Sequence, residues 1–229
     1  MAFKISMLKN YFKIAWRNLW QNKVLSFINI FGLATGMAFA ILTGLWIQYE
    51  TGYDSFHKNR DRIALVMKNV MFNDQRSTQE LSPLPLYYEL KNNYPEVERV
   101  TRVAWAGRHS FVAGNNKFAR EGLDADPDFL QMFSFPVLQG DIRSALRDPN
   151  SIVLTQSLAS VLFNTENPIG KMIKLDNLDN FRVTAVIRDV PKNSTLTFDF
   201  LIPYDFEIAH SDFIRNNKTD WSNNFLMNI

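Results

Sequence analysis

VLSFINIFGLATGMAFAILTGLWIQY, residues Val24 to Tyr49, is a run of 26 residues without one charged side chain. As a helix at about 1.5 Å per residue it would be roughly 39 Å long, more than the ~30 Å hydrocarbon core of a bilayer requires. The central stretch from Phe27 to Ile47 is the predicted span, with Asn29, Thr35 and Thr43 as its main polar members. A helix of this length buried in a soluble protein would carry charge on some face. A cleavable signal peptide has an apolar region of only about 7–15 residues and a small-residue cleavage site. This run is longer, has no A-x-A pattern, and closes on Trp46 and Tyr49 in the manner of an interfacial belt. Residues 24–49 therefore read as a retained transmembrane helix.

Charge orients it. Residues 1–23 hold Lys4, Lys9, Lys13, Arg17 and Lys23 and no acid, whereas Glu50 and Asp54 follow the span. The positive-inside rule places the N-terminus in the cytoplasm. The 20 basic residues after the span are outnumbered by 23 acids, so the main part of the chain is mildly acidic although the whole carries +2. A nucleic-acid partner is not expected. The chain has no cysteine, which excludes disulfides, thiolate metal sites and a cysteine nucleophile. That suits a domain in a bacterial envelope that relies on its own core.

Two further features lie in the N-terminal part. Gly32, Gly36, Ala40 and Gly44 recur every four residues, a spacing that lets another helix backbone approach closely in lipid. This stripe is the candidate helix-packing site, and it expects neighbouring helices. Before the span, Leu8, Phe12, Ala15 and Leu19 recur on one side with Tyr11 and Trp16, and Lys9, Lys13, Arg17 and Asn10 cover another. Residues 1–23 thus read as an amphipathic basic helix lying at the membrane surface. It is either an orientation signal or a collar that a cytoplasmic partner can push.

Residues 50–229 change texture. Ile63 to Phe72 has a β-like apolar run. Ser82-Pro83 opens a helix through Tyr87, Leu90 and Tyr94, stopped by Pro95. Val97 to Trp105, Ser110 to Ala113 and Lys117 to Leu123 read as short strands broken at Gly107 and at Gly114-Asn115-Asn116. Asp126 is the expected cap of a short helix holding Phe129, Met132 and Phe133. A strand over Ile152 to Thr155 leads into a helix over Gln156 to Phe163. Lys171 to Leu175 and Phe181 to Ile187 form a hairpin, and Phe198 to Ile202 is one more strand. Helices and strands mix without a regular βαβ period, so the predicted class is α+β.

The sequence carries little that points to catalysis or metals. His57, His109 and His210 lie far apart with no partner at metal-ligand spacing, and each reads as a surface or turn residue. There is no G-x-S-x-G, no P-loop and no G-x-G-x-x-G. Asp124, Asp126 and Asp128 alternate but lack the glycine and terminal glutamate of a calcium loop. No catalytic, cofactor-binding or metal residue is assigned, and an enzyme is not expected.

The chain does resemble a family. WRNLWQNKVLSFINIFGLATGMA is similar to the start of FtsX-like ABC transporter permeases, and YDSFHKNRDRI, Tyr53 to Ile63, to the junction after their first helix. DADPDFLQMFSFPVLQGD, SIVLTQSLASVLFNTENPIGKMI and FRVTAVIRDVPKNSTLTFDFLIP resemble the MacB-like periplasmic core domain. The resemblance covers nearly the whole chain, most convincingly through the order of its motifs. It implies a first helix, a periplasmic core domain over 50–229 and three later helices. It also implies a second permease copy as dimer partner and a cytoplasmic ABC ATPase subunit. That subunit binds the ATP, so the chain needs no cofactor of its own. ATPase closure would be relayed mechanically through the helices. Carried over by position, Lys13, Trp16, Arg17 and Trp20 would sit at the cytoplasmic interface with the ATPase. The expected location is the bacterial inner membrane, with the main domain periplasmic. Because no second hydrophobic span follows before Ile229, the chain reads as cut before helices two to four and as unable to couple productively to an ATPase alone. What would be transported is not legible. The alternatives are a single-span envelope sensor or ligand-binding protein and a membrane-tethered hydrolase. Further spans downstream would decide against the sensor, and a hydrolase would need a catalytic set.

Overall fold

The computed structural model describes residues 2–113, 116–164, 166–222 and 226–229. The chain divides into two compact units, Met1–Gly52 and Tyr53–Ile229. The first consists of helices α1 (Ala2–Gln21) and α2 (Lys23–Thr51). Between them Asn22 takes φ −112° and ψ 55°, outside the helical region, which breaks the axis. Helix α2 is apolar all round and has no buried residue, the pattern of a helix whose solvent is lipid. The bounds fall within two residues of the predicted 24–49.

The second unit is α+β, as expected, and holds a small β-ribbon and an eight-stranded sheet. The ribbon pairs β1 (Lys68–Phe72) with β2 (Gln75–Gln79), antiparallel. The sheet contains β3 (Arg102–Ala113), β4 (Asn116–Ala125), β5 (Val137–Gly140), β6 (Ser151–Thr155), β7 (Met172–Leu175), β8 (Asp179–Ile187), β9 (Phe200–Pro203) and β10 (Met227–Asn228). Its order is β10-β3-β4-β9-β6-β8-β5, with β7 also on β8. The pairs β4/β9 and β6/β8 are parallel. The helices are α3 (Pro85–Asn93), α4 (Phe129–Met132), α5 (Gln156–Phe163), α6 (Tyr204–His210) and α7 (Asp212–Asn216).

Both sheet faces are covered, which is why β6 is buried along its whole length and reads as a continuous apolar run. One face carries Leu123, Val153, Ile187 and Leu201 against Phe129, Phe133, Phe135 and Phe198. The other carries Ile152, Leu154, Phe181, Val186 and Phe200 against Leu158 and Phe206. A third cluster joins Leu84 to Tyr204, Ile208, Ile214 and Leu226.

Several sequence expectations are corrected. Gly107 does not break a strand: with φ +86° it lets β3 bulge between Trp105 and Gly107 and run on. The strand forecast to begin at Ile63 begins at Lys68. Val97–Thr101 precedes β3 rather than belonging to it. Of the turn expected at Gly114-Asn115-Asn116, residues 114 and 115 lie outside the described residues. The helix over 156–163 and the β7–β8 hairpin are as read.

Candidate functional site

The two sites assigned from sequence lie on the first unit. Gly32, Gly36, Ala40 and Gly44 are all exposed on α2. A Cβ added at Gly32, Gly36 or Gly44 would meet nothing within 4 Å, so the stripe is an open ridge. Lys13, Trp16, Arg17 and Trp20 are exposed on α1, with Trp16 and Trp20 about three-fifths accessible.

The second unit contains a site that sequence reasoning passed over, at the residues that lead into it. Asp54 adopts φ +52°, a left-handed conformation that aspartate tolerates better than most residues. Its N–H donates to the Asn193 carbonyl at 2.9 Å. Its carboxylate accepts from the Thr195 N–H at 3.0 Å, the Thr195 hydroxyl at 2.5 Å and the Ser194 hydroxyl at 3.2 Å. Three residues on, His57 lies in a turn, its N–H donating to the Asp54 carbonyl at 3.1 Å, but it is only 4% exposed and so is not at the surface. Its ring lies 4.0–5.1 Å from those of Phe56, Phe133 and Phe135. The Ser134 N–H donates to His57 Nδ1 at 3.1 Å, which requires that nitrogen to be unprotonated. Burial lowers the imidazole pKa, partly opposed by the Asp54 charge. Two more bonds follow. The Lys58 N–H donates to Ser134 Oγ at 3.0 Å, and the Asn59 side chain donates to the Met132 carbonyl at 3.3 Å. Residues 54–59 are thereby stapled to 132–135 and 193–195. Three motifs that looked independent in the sequence, YDSFHKN, FLQMFSFP and PKNST, meet at one junction.

A second cluster ties β3, β4 and α6 together. Arg102, 3% exposed, donates through Nε to Asp126 Oδ2 at 2.9 Å and through Nη2 to Asp126 Oδ1 at 2.5 Å. Nη2 also reaches Asp205 Oδ1 at 3.0 Å. The guanidinium lies 4.3 Å from the Tyr87 ring centroid and 4.7 Å from that of Tyr204. Asp126 is thus not a side-chain helix cap. Its carboxylate goes to the buried arginine, and only its backbone carbonyl accepts from the Phe129 N–H at 3.0 Å. Asp124 lies two residues earlier on β4, 3% exposed, and its Oδ1 has no partner among the described residues. Burial, with Glu207 adding, pushes its pKa up to about 8. Both clusters pin elements in place. Among the described residues no group of three or more His, Asp or Glu could hold a metal ion. An apolar groove of about 300 Å³ beside the junction is lined by His57, Leu65, Trp105, Phe133 and Met227.

The chain thus has one helix long and apolar enough to cross a membrane, and a two-faced sheet domain whose first residues are held by hydrogen bonds within that domain. The chain belongs to the MacB-like periplasmic core domain family, whose model matches residues 26–227 and so takes in most of α2 as well as the sheet domain. It is homologous to the periplasmic domains of MacB-like ABC transporter permeases. A domain of a protein described as a permease from Porphyromonas gingivalis shares the fold, at 23% identity and TM-score 0.61, covering 75% of this chain and 73% of that one. The periplasmic region of MacB from Actinobacillus actinomycetemcomitans matches at 19% identity and TM-score 0.48, covering 72% of each chain. The extracellular domain of the noncanonic ABC-type transporter YknZ from Gram-positive bacteria matches at 12% identity and TM-score 0.46, covering 62% of this chain and 68% of that one. No curated protein matched.

Proposed function

We propose that the chain is a permease subunit of an ABC transporter that relays the motion of a cytoplasmic ATPase to its own periplasmic domain. The N-terminus is cytoplasmic, in line with the five basic residues that precede the span and the acids that follow it. Lys13, Trp16, Arg17 and Trp20 face the ATPase, which holds the ATP. The open ridge of Gly32, Gly36, Ala40 and Gly44 packs against other membrane helices, those of a second permease copy included. The chain performs no chemistry of its own.

The junction at Asp54 and His57 carries this reading. A relay works only if the chain leaving the moving helix is fixed to what must move. A domain that merely needed tethering would be served by a loose polar linker. Here the first residues of the second unit are held by hydrogen bonds to two distant loops.

The test joins the chain to the three later helices that the family resemblance implies and pairs it with its ATPase in vesicles, with spin labels at Leu178, a 75% exposed hairpin residue, on two copies. ATP is expected to shift the distance between labels in the wild type. Asp54→Ala, checked for an unchanged circular-dichroism spectrum, is expected to bind the ATPase normally and lose most of that shift. An equal shift in Asp54→Ala would overturn the relay role of the junction, and no ATP-dependent shift in the wild type would overturn the function.

A further inference from the structure

The first 49 residues carry five basic side chains and not one carboxylate. Three of those cations, Lys13, Arg17 and Lys23, are exposed on the first unit. At about 100° per residue Lys13 and Arg17 share one face of α1, and Trp16 and Trp20 border it on the side toward the apolar stripe. Where α1 meets α2 at the Asn22 break, Trp16, Trp20, Lys23, Ser26, Phe27 and Ile30 line an open crevice of about 400 Å³. Lys23 Nζ stands 4.9 Å over the Trp20 ring at its rim. Ser26, half-buried, follows, and then the exposed Phe27 and Ile30.

Along the chain the order is ammonium, hydroxyl, then aromatic and aliphatic surface. A phospholipid presents the complementary order of phosphate, glycerol and acyl chain. We propose that this crevice binds an anionic phospholipid. Its phosphate meets Lys23 at the rim, and its upper acyl chain covers Phe27 and Ile30.

Charge complementarity selects this occupant. The one acid of the first unit, Glu50, lies 27 residues beyond Lys23 at the far end of α2, about 40 Å away, so the crevice's counter-charge comes from elsewhere. A zwitterionic lipid would bring its own ammonium up to Lys23, whereas an anionic headgroup adds only negative charge. An acidic protein segment would satisfy the lysine and leave Phe27 and Ile30 bare. The inference rests on the membrane placement of α1 and α2 in the proposed function. It adds a lipid preference that the placement does not require.

The experiment uses the full chain with Trp46→Phe, Trp105→Phe and Trp221→Phe, which leaves Trp16 and Trp20 as the only indoles. It is reconstituted in vesicles of equal parts phosphatidylcholine and phosphatidylglycerol. In one set the bromine quencher is carried near the headgroup end of the phosphatidylglycerol acyl chains, in the other on phosphatidylcholine. Brominated phosphatidylglycerol is expected to quench the more strongly, corresponding to about a three- to fivefold local enrichment at low salt. Lys23→Gln is expected to bring the ratio most of the way to one, as is high salt. Equal quenching by the two lipids overturns the inference and leaves the membrane placement intact. Quenching by neither lipid overturns both.

Discussion

Replacing Asp124 by asparagine should stabilise the protein, and more so as pH rises. The carboxyl is 3% exposed on β4, across from Ala104 of β3, with Oδ1 unpartnered among the described residues. Its pKa is pushed up to about 8 from an ordinary 3.8, first by burial and then by Glu207. For an acid whose folded pKa lies above its unfolded value, the favourable contribution is complete below the unfolded pKa. It is lost progressively as pH climbs to the folded one. Between pH 3.8 and 8 the unfolded chain releases a proton that the folded chain keeps. At pH 7 that gap of roughly three units corresponds to about 4 kcal/mol, at about 1.36 kcal/mol per unit. Asparagine has the same shape and no charge to lose. Its amide inherits the missing hydrogen bond, which offsets about 1–2 kcal/mol. The net gain should therefore be about 2–3 kcal/mol at pH 7 and near zero or slightly negative at pH 4. A change of that size in a domain of about this length raises Tm by roughly 4–12 °C. Thermal melts of the full chain in detergent at pH 4, 5.5, 7 and 8 would measure it. Parallel stability–pH curves for wild type and Asp124→Asn would refute the argument that this carboxyl is held uncharged.

Gly122→Ala should destabilise the sheet by about 2–4 kcal/mol, because the new Cβ would lie 2.3 Å from the Phe200 ring; a denaturant midpoint unchanged from wild type would contradict this. Acidification should loosen the junction. With its folded pKa lowered, His57 contributes stability that is full above the ordinary 6.5 and lost as pH falls through the folded value. Hydrogen exchange at the Ser134 amide should accelerate over that interval in the wild type and far less in His57→Phe. Gly36→Leu should weaken association of the chain in detergent several-fold, read by ultracentrifugation, since it blocks the centre of the ridge.

The sequence made the long apolar helix legible because a run of 26 uncharged residues without a breaker propagates as one helix, and the structure has a single helix from Lys23 to Thr51. It made α5 and the β7–β8 hairpin legible because local periodicity and turn residues determine them. The junction was not legible. Asp54 looked like one of two acids flanking the span, and His57 like an isolated surface histidine. Their significance comes from partners at Ser134 and Thr195 that no local pattern connects to them. Asp126 was misread for the same reason. An acid before a short helix is a plausible cap, and only the register that sets Arg102 beside it on β3 shows that its carboxylate is taken. Where a side chain's role depends on pairing across the sheet, its neighbours in sequence are the wrong place to look.

The staple at Asp54 also constrains how the protein is made. Its partner Thr195 lies 141 residues further along the chain, and Ser134 lies 77 residues beyond His57. Helix α2 can form as soon as it is synthesised, but Asp54 has nothing to hold until Thr195 exists. At a synthesis rate of about 5–20 residues per second that interval lasts on the order of ten seconds. During it the turn at 54–59 has no partner for these bonds, and loop closure over so long a separation adds its own delay. The lock therefore closes among the last long-range contacts of folding, so that a chain interrupted before Thr195 would leave residues 54–59 without the loop that holds them.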